Sequence, residues 1–382
     1  MKRQLFLFPS LALIAAASLG LTNCNKSNSG DTIRIGEFAS LTGKEATFGT
    51  SSHEGTLLAV EEINAAGGVL GKKLELLTED DQSKSGEPAN AVNKLISKDN
   101  VVAILGEVSS GRSKEAAPIC QGNKVPMISP ASTNPDVTQK GDYIFRVCFT
   151  DILQGKVLAN FAMKTLKATR VAVLTDVKNE YSKGLAKYFK AAYTAAGGAV
   201  AVELDYNGGE KDFKGQLTTI KGAGVQAIFI PGYYAEVALL CIQAKQLGIT
   251  VPLFGGDGWE SPDLTGVGKD AVDGQYFSTH CDAESPEPVV KAFVEGYKKR
   301  FDGKVPDAMA MLGYDSAKIL ADAIKRAGST DGAKLRDAIA QTKDFPGVTG
   351  KITIDAERNA TKPMVILQVR NGKLNLVETI NP

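Results

Sequence analysis

At 382 residues the chain is long enough for two domains of ordinary size. Hydrophobic residues make up 43% and charged residues 23%, and 44 Lys plus Arg stand against 43 Asp plus Glu, so nothing electrostatic points to nucleic acid or to an anionic membrane face. Two histidines, His53 and His280, and the lack of any Cys-x-x-Cys pair argue against a zinc or iron centre, and no metal or cofactor is expected.

The N-terminus reads as an address. Lys2 and Arg3 precede an apolar run from Leu5 to Leu21 that ends in small residues, the layout of a secretory signal over residues 1–23. The alternative, a retained anchor, is suggested by the run's length, which approaches the ~20 residues of a membrane span. Leu21-Thr22-Asn23-Cys24 resembles a bacterial lipobox, which would make Cys24 a lipidation site and residues 24–30 a polar tether. Export permits disulfides among Cys120, Cys148, Cys241 and Cys281, with buried free thiols as the alternative. Cys120–Cys148 is the preferred pair because both fall in one expected lobe.

From Thr32 the chain alternates short β-branched runs with helical patterns. Ile33–Phe38 reads as a strand and Ser51–Ala66 as a helix with Leu57, Val60 and Ile63 on one face, stopped by Gly67-Gly68. Leu74–Thr78, Ala89–Ser97 and Val101–Leu105 continue as strand, helix and strand. The pattern predicts an α/β fold with mostly parallel sheets.

The second half echoes the first. Ala65-Ala-Gly-Gly68 returns as Ala195-Ala-Gly-Gly198, Val101-Val-Ala-Ile-Leu105 as Val225-Gln-Ala-Ile-Phe229, and Val125-Pro-Met-Ile128 as Val251-Pro-Leu-Phe254. Asp142-Tyr-Ile-Phe145 has a looser echo in Gln275-Tyr-Phe277. The constant order predicts two Rossmann-like lobes of related topology. Ligands in open α/β sheets bind beyond the carboxyl ends of the strands. Those ends carry Ser109-Ser110 and Ala131-Ser132-Thr133 in the first half, and Gly232-Tyr233-Tyr234 and Gly256-Asp257-Gly258 in the second.

At Gly106-Glu-Val-Ser-Ser110, Ile128-Ser-Pro-Ala-Ser-Thr-Asn-Pro135, Gly208-Gly-Glu-Lys-Asp-Phe213, Gly232-Tyr-Tyr-Ala-Glu236 and Gly255-Gly-Asp-Gly258 the chain resembles the branched-chain amino-acid binding proteins of bacterial ABC importers, within the type I periplasmic-binding fold. The resemblance implies a three-segment hinge, with crossings near Phe149, Ser278 and Gly350. Residues 31–149 plus 279–350 would then form the first lobe and 150–278 plus 351–382 the second. It also implies a periplasmic or extracytoplasmic location, an ABC permease as partner, and a monomer.

A free amino acid carries an ammonium and a carboxylate, and burying either without partners costs several kcal/mol. Ser110 and Thr133, with nearby helix N-termini, suit the carboxylate. Asp257 suits the ammonium. The resemblance adds the carbonyls of Ala131 and Tyr233, the neighbouring Ser132, and the aromatic walls Phe48, in the loop Thr47-Phe-Gly49, and Tyr181. Trp259, beside Asp257, is a further candidate wall. A methylene in such a pocket is worth only ~1–3 kcal/mol, so Leu, Ile and Val stay unresolved. A ligand-sensing receptor for an amino acid or amide is the alternative function. Catalysis is not expected, since no Gly-x-Ser-x-Gly elbow occurs.

Overall fold

The computed structural model describes residue 1 and residues 32–381; the expected signal, the tether and Cys24 lie outside the described residues. In chain order the first part holds β1 (Thr32–Ala39), α1 (Ala46–Ala65), β2 (Lys73–Asp80), α2 (Glu87–Ser97), β3 (Ile104–Leu105), α3 (Ser110–Asn123), β4 (Met127–Ser129) and β5 (Ile144–Arg146). There follow α4 (Asp151–Lys164), β6 (Arg170–Asp176), α5 (Glu180–Ala195), β7 (Ala199–Tyr206), α6 (Lys214–Gly222), β8 (Ala227–Phe229), α7 (Tyr234–Gln246), β9 (Leu253–Gly255), α8 (Pro262–Gly268) and β10 (Tyr276–Thr279). The chain closes with α9 (Pro288–Arg300), α10 (Ala308–Ala327), α11 (Gly332–Ala340), β11 (Phe345–Gly347), β12 (Gly350–Ile354), β13 (Ala360–Thr361), β14 (Met364–Arg370) and β15 (Lys373–Ile380).

The internal echo is a topological repeat. One sheet runs β2-β1-β3-β4-β5, and the other contains β7-β6-β8-β9-β10, the same winding with every pair parallel. Its free edge is extended by β14 and β15, both antiparallel. Each sheet, with its helices, is one lobe. The central strands are short, because only two or three residues of each pair regularly. Backbone bonds from Gly36 to the Ala103 carbonyl (2.9 Å) and from Val102 to the Arg34 carbonyl (2.9 Å) prolong the β1–β3 contact past the two-residue strand.

The strands are buried on both faces, as parallel sheets require. In the first lobe Ile104, Met127 and Ile144 belong to one apolar cluster, and Leu105, Ile128 and Phe145 to another. This alternation is the period-two pleat of the strand. It also removes the expected disulfide. Cys120 packs with Ile104 and Met127, whereas Cys148 packs in the opposite cluster with Phe145 and Phe149. Among the described residues all four cysteines are free and buried. Burial pushes the Cys148, Cys241 and Cys281 thiols up to about 12.

The chain passes between the sheets three times: after β5, after β10, and between β11 and β14. Helix α10 returns to the first lobe and lies along α1, and its Tyr314 hydroxyl donates to Glu62 at 2.5 Å. The strand beginning at Gly350 does not enter the larger sheet. It turns back antiparallel on β11, with Gly347 paired to Gly350, and β13 completes a small separate sheet. The strands that do join the larger sheet begin at Met364. No helix among the described residues is long and apolar enough to cross a membrane.

Candidate functional site

The carboxyl ends of both sheets face one another, and the loops there interlock. Ser109 has the extended backbone of a helix N-cap before α3, yet its side chain makes no cap bond. Its hydroxyl instead accepts the Tyr233 O–H from the opposite lobe at 3.1 Å. Ser110, the first residue of α3, is buried and its hydroxyl accepts the Asn134 N–H at 3.2 Å. Ala131 and Thr133 lie buried in the loop after β4, and the Thr133 carbonyl accepts the Asp151 N–H at 2.9 Å. The N-terminus of α3 and the Thr133 loop therefore open on the same space.

The second lobe contributes aromatic rings and a carboxylate. Asn179 caps α5 through its side chain, which accepts the N–H groups of Tyr181 and Ser182 and so fixes the entry of Tyr181. Tyr181 stacks on Tyr233 with ring centroids 5.3 Å apart, and its hydroxyl accepts the Gly258 N–H at 3.1 Å. Phe48 is not in a loop; the first turn of α1 already includes it. From there its ring meets Tyr233 edge-on at 5.3 Å and Tyr234 at 4.8 Å. Burial raises the Tyr181 and Tyr233 phenols above their ordinary value, so both stay neutral.

Asp257 sits in the turn after β9, and is buried. Gln154 Nε2 donates to its Oδ1 at 2.7 Å, and His280 Nε2 lies 3.1 Å from its Oδ2. Gly256 precedes it because there is no room for more: an added Cβ would meet the Tyr181 hydroxyl, Leu185 and, at 2.8 Å, Gln154. A carboxylate oxygen accepts more than one bond, so Asp257 keeps acceptor capacity.

Three polar groups escaped the sequence. Asp151 opens α4 directly across from Thr133, is fully buried, and neither carboxylate oxygen has a hydrogen-bond partner among the described residues. Burial pushes this carboxyl well above the ordinary range, with Asp257 adding to the effect and Arg146 working against it. Gln154 Oε1, the Thr133 hydroxyl and His280 Nδ1 are likewise buried without partners. An Asp in the first turn of a helix reads as a dipole-stabilising residue, so nothing marks Asp151 before the fold brings Thr133 to it.

Other expected groups point elsewhere. The Ser132 hydroxyl is turned into the first lobe, bonded to the Glu107 carbonyl (2.9 Å), the Val108 carbonyl (3.1 Å) and Ser113 Oγ (2.8 Å); it holds its loop in place. The Tyr233 carbonyl accepts the Val237 N–H of α7 at 3.1 Å and keeps a second lone pair. Trp259 is a core residue of the second lobe, its indole N–H donating to the Ile230 carbonyl at 2.8 Å. His53 pairs with Glu37, outside the site, at 2.6 Å. Among the described residues no group of acidic, His and Cys side chains could hold a metal ion.

Around this core the lobes touch. Lys114 Nζ lies 2.7 Å from Glu180, Asn134 Nδ2 donates to the Glu180 carbonyl at 2.9 Å, and Thr47 donates to Asp263 at 2.7 Å. Outside them a charged cavity of about 540 Å³ lies between the lobes, lined by Lys44, Arg112 and Lys114 on one side and Asp176 and Glu180 on the other. The arrangement is a closed cleft: polar at one end, aromatic at the other, with a charged mouth.

Comparison with known proteins finds relatives that span most of the chain. A leucine-binding protein, LivK, from Thermotoga maritima is 43% identical and superposes with a TM-score of 0.88, covering 92% of this chain and 99% of that one. The branched-chain amino acid transporter substrate-binding protein LivJ from Streptococcus pneumoniae, solved in complex with isoleucine, is 34% identical with a TM-score of 0.87, over 92% of this chain and 100% of that one. The Leu/Ile/Val-binding protein BraC3 of Rhizobium johnstonii is 33% identical over 324 residues, 84% of this chain and 87% of its own. Residues 32–373 match the family described as periplasmic binding protein, and this chain belongs to that family.

Proposed function

We propose that the chain captures a free branched-chain aliphatic amino acid, Leu, Ile or Val, between its lobes and delivers it to an ABC permease on the extracytoplasmic side. The observation that carries the reading is the pairing of unlike polar ends within one buried cleft. Asp257, Asp151 and the Thr133 hydroxyl offer negative charge and acceptors for an ammonium. Ser110 and the N-terminus of α3 offer donors for a carboxylate. The Phe48, Tyr181 and Tyr233 rings supply an apolar wall with no charge to satisfy, which suits an aliphatic side chain.

The ligands named for the related LivK, LivJ and BraC3 proteins point the same way. Ala131 stays in the set through its backbone, while the Ser132 hydroxyl leaves it. Capture needs no covalent step. In this reading residues 1–23 direct export, Cys24 carries a lipid, residues 24–30 tether the lobes to the membrane surface, and the protein acts as a monomer. The lobes are residues 31–149 plus 279–350 and residues 150–278 plus the strands from Met364, with the remainder of the small β11–β13 sheet and Lys362 at the third passage and hinge closure between the lobes.

The test is calorimetric titration of L-leucine, L-isoleucine and L-valine into the parent protein and Asp257→Ala. Removing one partner of a buried charge pair costs about 2–5 kcal/mol, so binding should fall roughly thirtyfold or more with the fold intact. Equal affinity in the variant and the parent would remove Asp257 from the site.

A further inference from the structure

We propose that His280 is a positioning residue for Asp257: a neutral imidazole at the hinge, donating from Nε2, holds the carboxylate in the orientation that meets the ligand's ammonium. This rests on the reading of Asp257 as the ammonium's partner. His280 follows directly on Thr279, the last residue of β10, where the chain passes between the lobes for the second time. Its ring is buried and lies flat on Phe149, with centroids 4.0 Å apart and planes 22° from parallel. Phe149 stands at the first passage. Two of the three hinge strands thus clamp one imidazole, and that imidazole holds one oxygen of Asp257 while Gln154, on α4, holds the other.

The geometry fixes the tautomer. His280 Nδ1 is buried with no hydrogen-bond partner among the described residues. A hydrogen placed there would be an unsatisfied buried donor, which is costly, whereas a bare nitrogen loses only an acceptor contact. The single proton of the neutral ring therefore sits on Nε2 and points at Asp257. The charged groups that face the ring are Asp257 and, from the third passage, Lys362. Burial holds the imidazole below its ordinary value, against the pull of Asp257 and with the help of Lys362. Neutrality matters for function. An imidazolium would cancel the Asp257 charge and compete with the ammonium, but a neutral donor orients the carboxylate and leaves its charge for the ligand.

The chain has only two histidines, so ring nitrogens can be assigned without ambiguity. Long-range ¹H–¹⁵N NMR of the parent protein should show His280 as the neutral, Nε2-protonated tautomer at neutral pH, gaining a second proton only at lower pH than a free imidazole does. His53, paired with Glu37, should remain protonated to higher pH than a free imidazole. An Nδ1-protonated His280, or one that titrates like a free imidazole, overturns the proposal. In binding, His280→Phe keeps the stack on Phe149 and removes the donor, and His280→Gln restores an N–H. L-leucine affinity should fall roughly tenfold or more in His280→Phe and recover most of that in His280→Gln. In an Asp257→Asn background His280→Phe should add little further loss. If Asp257→Asn binds L-leucine like the parent, the reading of the site fails; if it weakens binding and His280→Phe does not, only the role of His280 fails. Should His280→Phe not fold, the tautomer in the parent protein decides.

Discussion

In the proposed site the buried carboxylates Asp257 and Asp151 stand under different constraints. Asp257 is held at both oxygens, so it is already oriented before ligand arrives. Asp151 has no such support, and its carboxyl is pushed well above the usual range by burial. An ammonium beside it favours the ionised form, which lowers its pKa on binding. A proton is then released, and affinity for L-leucine should rise with pH up to the raised titration range of Asp151. Calorimetry in two buffers of unlike ionisation enthalpy would show that release; proton uptake on binding would contradict it. At the other pole, Ser110→Ala should weaken binding by about 1–3 kcal/mol, through loss of a buried hydroxyl that faces the carboxylate. Unchanged affinity on titration would place Ser110 outside the site. Ser110, Thr133 and Tyr233 could be proposed from the sequence because strand-end loops in this architecture are where ligands go. Asp151, Gln154 and His280 were not, because each looks ordinary in one dimension and acquires meaning only from a partner on another element. Ser132 differs for the opposite reason: its loop is where expected, but its hydroxyl is bonded into the first lobe.

At the scale of elements, the repeated strand motifs were informative because parallel strands buried on both faces need continuous apolar runs, which leave a clear record. The equal order of β1–β5 and β6–β10 follows from that record. Which face a side chain takes does not, and Cys120 and Cys148 show the consequence: shared lobe, opposite clusters. The small sheet of β11–β13 was also hidden, since a strand pattern does not name its partner. The α1–α10 pair depends on a close crossing. An added Cβ at Gly313 would meet the backbone of Ser52, and one at Gly55 would meet the backbone of Ala310. Backbone on both sides cannot yield as a flexible side chain would. Gly313→Ala should therefore lower stability by about 1–3 kcal/mol in urea denaturation. A variant as stable as the parent would mean the two helices can separate freely.

For the whole molecule, the three passages between sheets are the covalent links between the lobes, and the contacts across the cleft are hydrogen bonds and an ion pair together with the packing of Phe48 on Tyr233 and Tyr234. Lys114 to Glu180 is a partly exposed ion pair worth about 0–1 kcal/mol, and the hydrogen bonds from Tyr233 to Ser109 and from Thr47 to Asp263 add about 0.5–1.5 kcal/mol each. Such contacts can complete a closed cleft but leave much of the closing free energy to the ligand, whose charges bridge groups from both lobes. Small-angle X-ray scattering with and without saturating L-leucine tests this most directly. Ligand-bound protein should be more compact, with a smaller radius of gyration than the free protein; identical scattering curves at saturating ligand would contradict capture by closure.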